Sequence, residues 1–308
     1  MWFKNIYIYR FTKPFELSAE QLEQALDEKP FVPCGNQERS QLGWSAPLAL
    51  DNAPLVHVCG NFWMISLKKQ ERLLPASVVN EQVTIKAEAL EAEQHRKVSR
   101  KEKTELKELV TQELLPRSFT RTVNHYAYLC PTKGYLVINT SSAKLADEYT
   151  SFLRQTIGSL PVRVPALKQS PNVLMSRWLT LEAAPGLGFE VQSETELVSR
   201  GEEKGSIKYK GLEFDTDFIQ QNLNNGMEVS KLSLSWRESV SFVLGADFTV
   251  KRIKFGDLVQ EKLDDIEADD KASKFDAGFS IMSLEFDQMI PDLLEALGGE
   301  DKSALISD

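Results

Sequence analysis

The sequence predicts an α+β fold with mixed or antiparallel sheets, a projecting helical arm and a second α+β unit. Three observations carry this prediction. Strands and helices are interspersed in the first half of the chain, which is typical of α+β domains. Residues 75–115 contain no Gly and no interior Pro and are rich in Ala, Glu, Lys and Leu, which indicates helix. Three consecutive strand-like segments between residues 227 and 255 predict an antiparallel meander.

The first unit opens with a strand and a helix. Phe3–Phe11 has apolar residues on both faces, so we expect a buried strand. Leu17–Glu28 is predicted as a short amphipathic helix with Ser18 as its N-cap. Residues 30–55 are rich in Pro, Gly and Asn and are predicted as loop, and His57–Lys69 as a second strand.

The helical stretch that follows Pro75 is too long for one typical helix. We therefore expect two helices in a hairpin that breaks around Val98–Thr104 and stops at Pro116. The segments Val123–Cys130 and Tyr135–Thr140 then flank a turn and predict a β-hairpin.

The remaining predicted elements form the end of the first unit and the second unit. Ser141–Ile157 is predicted as a Ser-capped helix ended by Gly158. After it we expect helices at Asn172–Leu181, Asp215–Leu223 and Phe275–Leu297, and strands at Phe189–Gln192, Ser206–Leu212, Met227–Trp236, Val240–Leu244 and Thr249–Phe255. The predicted organisation is a central α+β domain (1–73 and 117–166), a helical arm (74–116) and a C-terminal α+β domain (167–308).

Composition narrows the class of protein. The 308 residues carry a formal net charge of -9, and no apolar run approaches the roughly 20 residues that span a bilayer. The first residues lack the pattern of a signal peptide. The three cysteines are widely spaced and form no CxxC, so we expect free thiols in a reducing, cytoplasmic compartment and no structural metal.

The charge is unevenly distributed along the chain. Residues 257–308 contain fifteen Asp or Glu and four Lys or Arg, whereas the other 256 residues have a net charge of +2. A binding surface responds to its local field rather than to the total charge, so the low isoelectric point does not exclude a polyanionic partner.

A dense basic cluster lies at residues 95–107, with six Lys or Arg against two Glu. On one continuous helix, four of its cations would fall within an arc of about 60°: Arg96, Arg100, Lys103 and Lys107. Such a stripe suits a phosphate backbone. A solvated helix face, partly compensated by Glu102 and Glu105, is the alternative, and the residues alone leave both open.

Other basic groups recur along the chain, while enzymatic signatures do not. Arg117 and Arg121 flank Phe119, and Lys208 alternates with Lys210 on a predicted strand. A further basic group is Lys251, Arg252 and Lys254. No P-loop, nucleophile elbow or HExxH occurs, so we expect neither an enzyme nor a cofactor. Several basic groups without catalytic residues favour nucleic-acid binding through the backbone.

Two other classes of function remain open from the residues. A metal-dependent nuclease would use the carboxylates of the acidic run 264–270, although this run lacks the central Gly and closing Glu of a calcium loop. A protein-binding scaffold would use the basic arm to dock an acidic partner.

Many segments of the chain resemble the recombination-associated protein RdgC family. They are MWFKNIYIYR (1–10), FVPCG (31–35), LEAEQHRKVSRKEK (90–103), LLPRSFTR (114–121), SLPV (159–162), KLSLSW (231–236), VKRIKF (250–255), KFDAGFSIM (274–282) and LGGE (297–300). The resemblance runs nearly from end to end.

The resemblance implies a bacterial, nucleoid-associated protein that forms a ring-shaped homodimer around double-stranded DNA, with weaker binding of single strands. It implies little sequence preference and functional antagonism of the bacterial recombinase. Phe119 matches an aromatic residue at the interface between arms. The cations that best match the lining of the ring are Arg96, Lys97, Arg100, Lys101, Lys208 and Lys210. Together with Lys103, Lys107, Arg117 and Arg121 they make the expected DNA-binding set.

Overall fold

A computed structural model describes residues 2–201, 205–211, 214–264 and 270–301. Within these ranges the chain is α+β and is built on two antiparallel sheets, one seven-stranded and one five-stranded. The predicted fold class is confirmed at this level.

The first part of the chain contains the seven-stranded sheet and the arm. In chain order its elements are β1 (Tyr7–Phe11), α1 (Ala19–Asp27), β2 (Ser40–Ser45), β3 (Val56–Cys59), β4 (Phe62–Leu73), α2 (Ala76–Gln94), α3 (Arg100–Leu114), β5 (Phe119–Cys130), β6 (Tyr135–Ile138), α4 (Ala143–Ile157) and β7 (Val162–Arg163). The strand order is β2-β4-β5-β6-β1-β7, and β3 pairs with β4 beside β2.

The second part contains the five-stranded sheet, in the order β12-β11-β10-β8-β9. Its elements are α5 (Pro171–Leu179), β8 (Phe189–Ser199), β9 (Ser206–Lys210), α6 (Thr216–Asn224), β10 (Met227–Trp236), β11 (Val240–Gly245), β12 (Val250–Phe255), α7 (Asp257–Asp264) and α8 (Lys271–Ala296). The predicted meander is confirmed. The predicted strand at Phe189–Gln192 continues to Ser199, and α7 was not predicted.

Two predictions in the first sheet are wrong. The segment 30–55, predicted as loop, contains β2, which pairs with β4 from Ser40 to Ser45. The backbone of Phe31 passes so close to Gly43 that a Cβ there would lie 2.3 Å from the Phe31 Cα. The segment predicted as one strand at His57–Lys69 is the hairpin β3–β4, which turns at Gly60 with a φ of 56°. Glycine adopts this left-handed conformation without a steric penalty.

The arm is an antiparallel pair of helices inserted between β4 and β5. These strands pair from Trp63–Leu129 to Leu73–Phe119, so the arm extends from the end of a two-stranded ribbon. The Arg72 guanidinium closes its base by donating to the carbonyl oxygens of Leu115 and Ser118.

The predicted helical hairpin is confirmed, but its break lies earlier than expected. His95, with a φ of 52°, ends α2 in the left-handed conformation, and Ser99 caps α3. Arg96 therefore lies in the connecting loop, and the four-residue stripe expected on one helix is wrong. Arg100, Lys103 and Lys107 remain together on α3.

Helix α8 connects the two sheets. Its buried side chains share one hydrophobic core with residues from both sheets, and the Phe279 ring lies 6.0 Å from that of Tyr128 in β5. The opposite face of the first sheet is covered by α1 and α4. Main-chain pairing also joins the two parts, because the Ile6 amide donates to the Val250 carbonyl at 2.8 Å.

Candidate nucleic-acid interface

The five-stranded sheet has one buried face and one open face. Leu232, Leu234 and Trp236 of β10 are buried in the core shared with α8. Successive side chains of a strand point to opposite faces, so the residues between them face away from α8. The open face is therefore available to a partner.

Basic side chains gather on this open face from three strands. A shallow cavity of about 430 Å³ crosses it, with Thr195, Tyr209 and Val243 in its lining and Asn5 and Ser141 at its border with the first sheet. The cations that line this cavity are Lys208 and Lys210 of β9, Lys231 of β10, and Lys251 and Arg252 of β12. We call these five cations and their surroundings the basic face.

A β-bulge turns Arg252 toward the basic face. Between the pairs Ser241–Lys254 and Val243–Lys251, β12 contains one more residue than β11. Arg252 is that extra residue and has a φ of 54°, which is uncommon for a residue other than glycine. Bulges re-aim side chains, so both Lys251 and Arg252 reach the open face while Ile253 stays buried. The Arg252 amide donates to Asn5 Oδ1 at 3.1 Å, which fixes the bulge against the first unit.

Two glutamates of β8 cross the basic face and pair with its cations. Glu194 accepts from Arg252 Nη2 at 2.6 Å. Glu196 lies between two lysines, with Lys208 Nζ at 3.4 Å and an ion pair to Lys231 on the other side. The hydrogen bond from Lys231 lowers the pKa of the Glu196 carboxyl below its ordinary value, so this group is ionised at neutral pH.

Lys210 is the least compensated cation of the basic face. It is exposed and lies opposite Glu194 in the register of β8 and β9. Across the residues that the structure describes, it forms no ion pair. Its charge is therefore free to act on a ligand.

The second basic cluster lies at the end of the arm. Arg96 and Lys97 occupy the exposed loop between α2 and α3, and Arg96 makes a bidentate ion pair with Glu102 at 2.5 and 3.0 Å. Glu102 also accepts from the Ser99 amide at 2.8 Å, so it both caps α3 and neutralises Arg96. The hydrogen bond from Arg96 lowers the pKa of Glu102 well below its ordinary range.

The other cations of the arm are more exposed to solvent. Lys101 lies 4.0 Å from Glu105, a weak pairing on the helix surface. Arg100, Lys103 and Lys107 are exposed, and Lys107 borders a groove between α3 and Arg39. In the described part of the chain, no hydrogen bond or ion pair connects the arm cations with the basic face.

The base of the arm places the remaining predicted residues near one another. Arg117 lies in a short 3-10 turn and Arg121 in β5, opposite Glu71. Between them the Phe119 side chain is 84% exposed, and its partner across the strand pair, Leu73, is also exposed. Two apolar side chains are therefore exposed to solvent next to each other, and Phe119 is the most exposed aromatic residue among those that the structure describes.

Sequence reasoning did not include Lys231, Lys251 and Arg252 among the expected DNA-binding residues. The alternation in KLSLSW predicts that Lys231 and the following serines lie on one face of a strand, which was an available signal. The turning of Arg252 depends on the bulge, which the sequence pattern does not reveal. The expected residues Lys208 and Lys210 do lie on the basic face.

The acidic run considered as a metal site lies mostly outside the described residues, at 265–269. Within the described ranges, no group of three or more His, Cys, Asp or Glu is arranged to hold a metal ion. The helices in these ranges also include none that is both long and apolar enough to cross a bilayer.

Comparison with known proteins gives matches over nearly the whole chain. The family described as "Putative exonuclease, RdgC" matches residues 1–300. A protein of Aeromonas hydrophila is 43% identical over 303 residues, which cover 98% of this chain and 100% of the relative. One from Psychromonas ingrahamii is 42% identical over 300 residues, covering 97% and 99%, and one from Pseudomonas fluorescens is 42% identical over 303 residues, covering 98% of each. All three relatives are named "Recombination-associated protein RdgC".

Proposed function

The chain belongs to the RdgC family, and from that premise we propose that it binds double-stranded DNA with little sequence preference and restrains the bacterial recombinase. In this proposal it acts as a homodimeric ring in the cytoplasm, associated with the nucleoid. The relatives are recombination-associated by name, which agrees with an action on DNA.

The observation that carries the proposal is the basic face. Its cations come from three strands of one sheet and line one cavity of about 430 Å³. Lysines and arginines interspersed with hydroxyl side chains such as Ser233 and Ser241 suit phosphate oxygens. Phosphate contacts position a protein on a duplex without reading its sequence.

The arm supports the dimeric part of the proposal. Several of its apolar side chains are exposed although the two helices pack on each other: Val78, Ile85 and Leu109. Phe119 and Leu73, paired across the strands at the base of the arm, are exposed as well. Burial of a phenylalanine side chain contributes about 1.5–3 kcal/mol. A second copy that covers this surface would close one side of a ring.

Restraint of the recombinase follows from occupation of the duplex. A ring retains DNA by topology as well as by contacts, so each phosphate contact can remain weak and exchangeable. A protein that covers duplex DNA in this way hinders the strand exchange that the recombinase performs on it.

The test is duplex binding and its salt dependence. We expect two labelled duplexes of unrelated sequence to bind with equal affinity, and a single strand of the same length to bind more weakly. The logarithm of the binding constant should fall linearly with the logarithm of salt, by about 0.9 for each phosphate neutralised. Failure of bare duplex to bind at low salt would refute the proposal and favour a scaffold that docks an acidic protein.

A second candidate function is exonuclease activity, which the family description favours. Incubation of end-labelled duplex with the protein and either Mg²⁺ or Mn²⁺ tests it. We expect full-length DNA to persist. Progressive shortening that depends on the cation would establish the nuclease instead.

A further inference from the structure

Glu194 and Glu196 place two carboxylates in the middle of the basic face. They are alternate residues of β8, so their side chains share one face and are separated along the strand by about 6.6 Å. The strand lies between β9 and β10, so cations approach the carboxylates from both sides.

Each carboxylate has the contacts that a bound phosphate group would make. Glu196 accepts from an ammonium group on each neighbouring strand, Lys208 on β9 and Lys231 on β10. Glu194 accepts from the Arg252 guanidinium at 2.6 Å and faces Lys210 in the strand register. Carboxylate and phosphate oxygens compete for the same N–H donors, because both are anionic acceptors.

We propose that Glu194 and Glu196 are internal competitors of the DNA backbone, occupying Lys208, Lys231 and Arg252 of the basic face until phosphates displace them. This inference rests on the proposed function and deepens it. A phosphate that binds Lys231 or Arg252 must first break an existing ion pair, so the two glutamates lower the affinity and make each contact exchangeable. Removal of a competing carboxylate should therefore strengthen DNA binding.

The alternative role for the same residues is positioning. If the glutamates hold the lysines in the geometry that DNA requires, their removal should weaken binding. The two roles predict opposite changes in DNA affinity for the same substitution, so one affinity measurement separates them.

The experiment compares duplex binding of the full chain with that of Glu196→Gln, which retains the size of the side chain and removes its charge. One freed cation that gains a phosphate contact makes the salt slope steeper by about 0.9, which corresponds to about eightfold tighter binding at 0.1 M salt. We expect a change of this size for Glu196→Gln and a larger one for the double variant with Glu194→Gln.

Glu190→Gln is the matched control. Glu190 is exposed on the same strand, opposite Ser235, and forms no ion pair in the part of the chain that the structure describes. It precedes Glu196 by six residues, roughly 20 Å along an extended strand and beyond the Debye length of about 10 Å at 0.1 M salt. We expect its affinity to stay within about twofold of the parent, since a charge at that distance is largely screened.

A comparison of single and double variants identifies which cation is freed. In the background Lys231→Gln, the substitution Glu196→Gln should have a smaller effect on affinity than in the parent, because only Lys208 of the two cations remains to be freed. Circular dichroism and thermal unfolding of each variant verify that the fold is retained.

The outcomes separate the two claims. Weaker or unchanged binding by Glu196→Gln, while the parent binds duplex, would overturn the competitor role and leave the proposed function standing. An absence of duplex binding by both proteins would overturn the proposed function and this inference with it.

Discussion

Lys210 offers the most direct test of the basic face as a DNA-binding surface. Its ammonium group is exposed and has no ion-pair partner among the described residues, so its removal leaves no carboxylate without a cation. The substitution Lys210→Gln should therefore report the loss of a phosphate contact and little else. Lys208 and Lys231 are less suitable because both share Glu196.

The expected magnitude follows from counterion release. Loss of one phosphate contact reduces the slope of log K against log salt by about 0.9, which is about an eightfold loss of affinity at 0.1 M salt. Fluorescence anisotropy of a labelled duplex between about 50 and 200 mM salt measures both quantities.

Lys262→Gln is the control that loses the same charge elsewhere. Lys262 lies on α7 and pairs with Glu285 of α8 at 3.3 Å. Helix α8 packs on the buried face of the sheet, opposite the basic face. We expect the salt slope of Lys262→Gln to match that of the parent. Equal slopes for Lys210→Gln and the parent, or equal losses for the two variants, would refute the assignment of the basic face.

Three further predictions concern the arm and the core. Because Arg96 and the α3 cap lower the pKa of Glu102, its stabilising effect should be present above the unfolded-state pKa of about 4.3 and be lost as the pH falls through the lower folded value; the protection factors of the α3 amides, corrected for the intrinsic pH dependence of exchange, should fall over that acidic range in the parent and stay constant in Glu102→Gln. At concentrations where the chain is monomeric, Phe119→Ala should leave the unfolding free energy within about 0.5 kcal/mol of the parent, because the ring is solvated in the monomer, and at higher concentrations it should weaken self-association in sedimentation equilibrium; an unchanged association constant would remove Phe119 from the dimer interface. Phe279→Ala should cost about 3–5 kcal/mol in urea unfolding because its ring is fully buried between the sheets, whereas Leu284→Ala, half-exposed on the same helix, should cost less than about 1 kcal/mol; similar losses for both would contradict the packing of α8.

The elements predicted well are those whose signals are local. Ser18 forms the expected cap of α1, and its hydroxyl accepts from the Gln21 amide. Helix propensity predicts the arm. The break in it is expected because the chain must reverse direction to return to the sheet. The β5–β6 hairpin and the meander follow from alternating apolar residues around short turns.

The elements predicted poorly depend on contacts between distant segments. Strand β2 has a weak sequence pattern, and its hydrogen bonds to β4 and the close approach of Phe31 to Gly43 define it. The prediction of a four-residue basic stripe on the arm was wrong for a different reason. A periodicity argument assumes one continuous helix, and the chain leaves the helix at His95, just before Arg96.

The basic face was only half predictable for the same physical reason. Alternation along β9 predicts that Lys208 and Lys210 share a face, and they do. Which strands flank them, and which extra cations join them, depends on register. An extra residue in β10 at Ser230 sets Lys231 opposite Glu196, and the bulge in β12 turns Arg252 outward. Bulges arise from the pairing of whole strands, so a reading of single segments cannot place them.

The acidic C-terminal segment is compatible with a basic face because three carboxylates of α8 contact other parts of the chain. On α8, Asp276 pairs with His57 at 3.0 Å, Asp287 with Lys133 at 2.7 Å and Asp292 with Arg237 at 2.9 Å. Two of these partners, His57 and Lys133, belong to the first unit, so the contacts fasten α8 across both sheets. The helix lies behind the sheet that carries the basic face, and its paired carboxylates contribute little field on the far side. The charge that a duplex would meet is therefore set by the balance of Glu194 and Glu196 against the cations around them, and the net charge of -9 does not describe it.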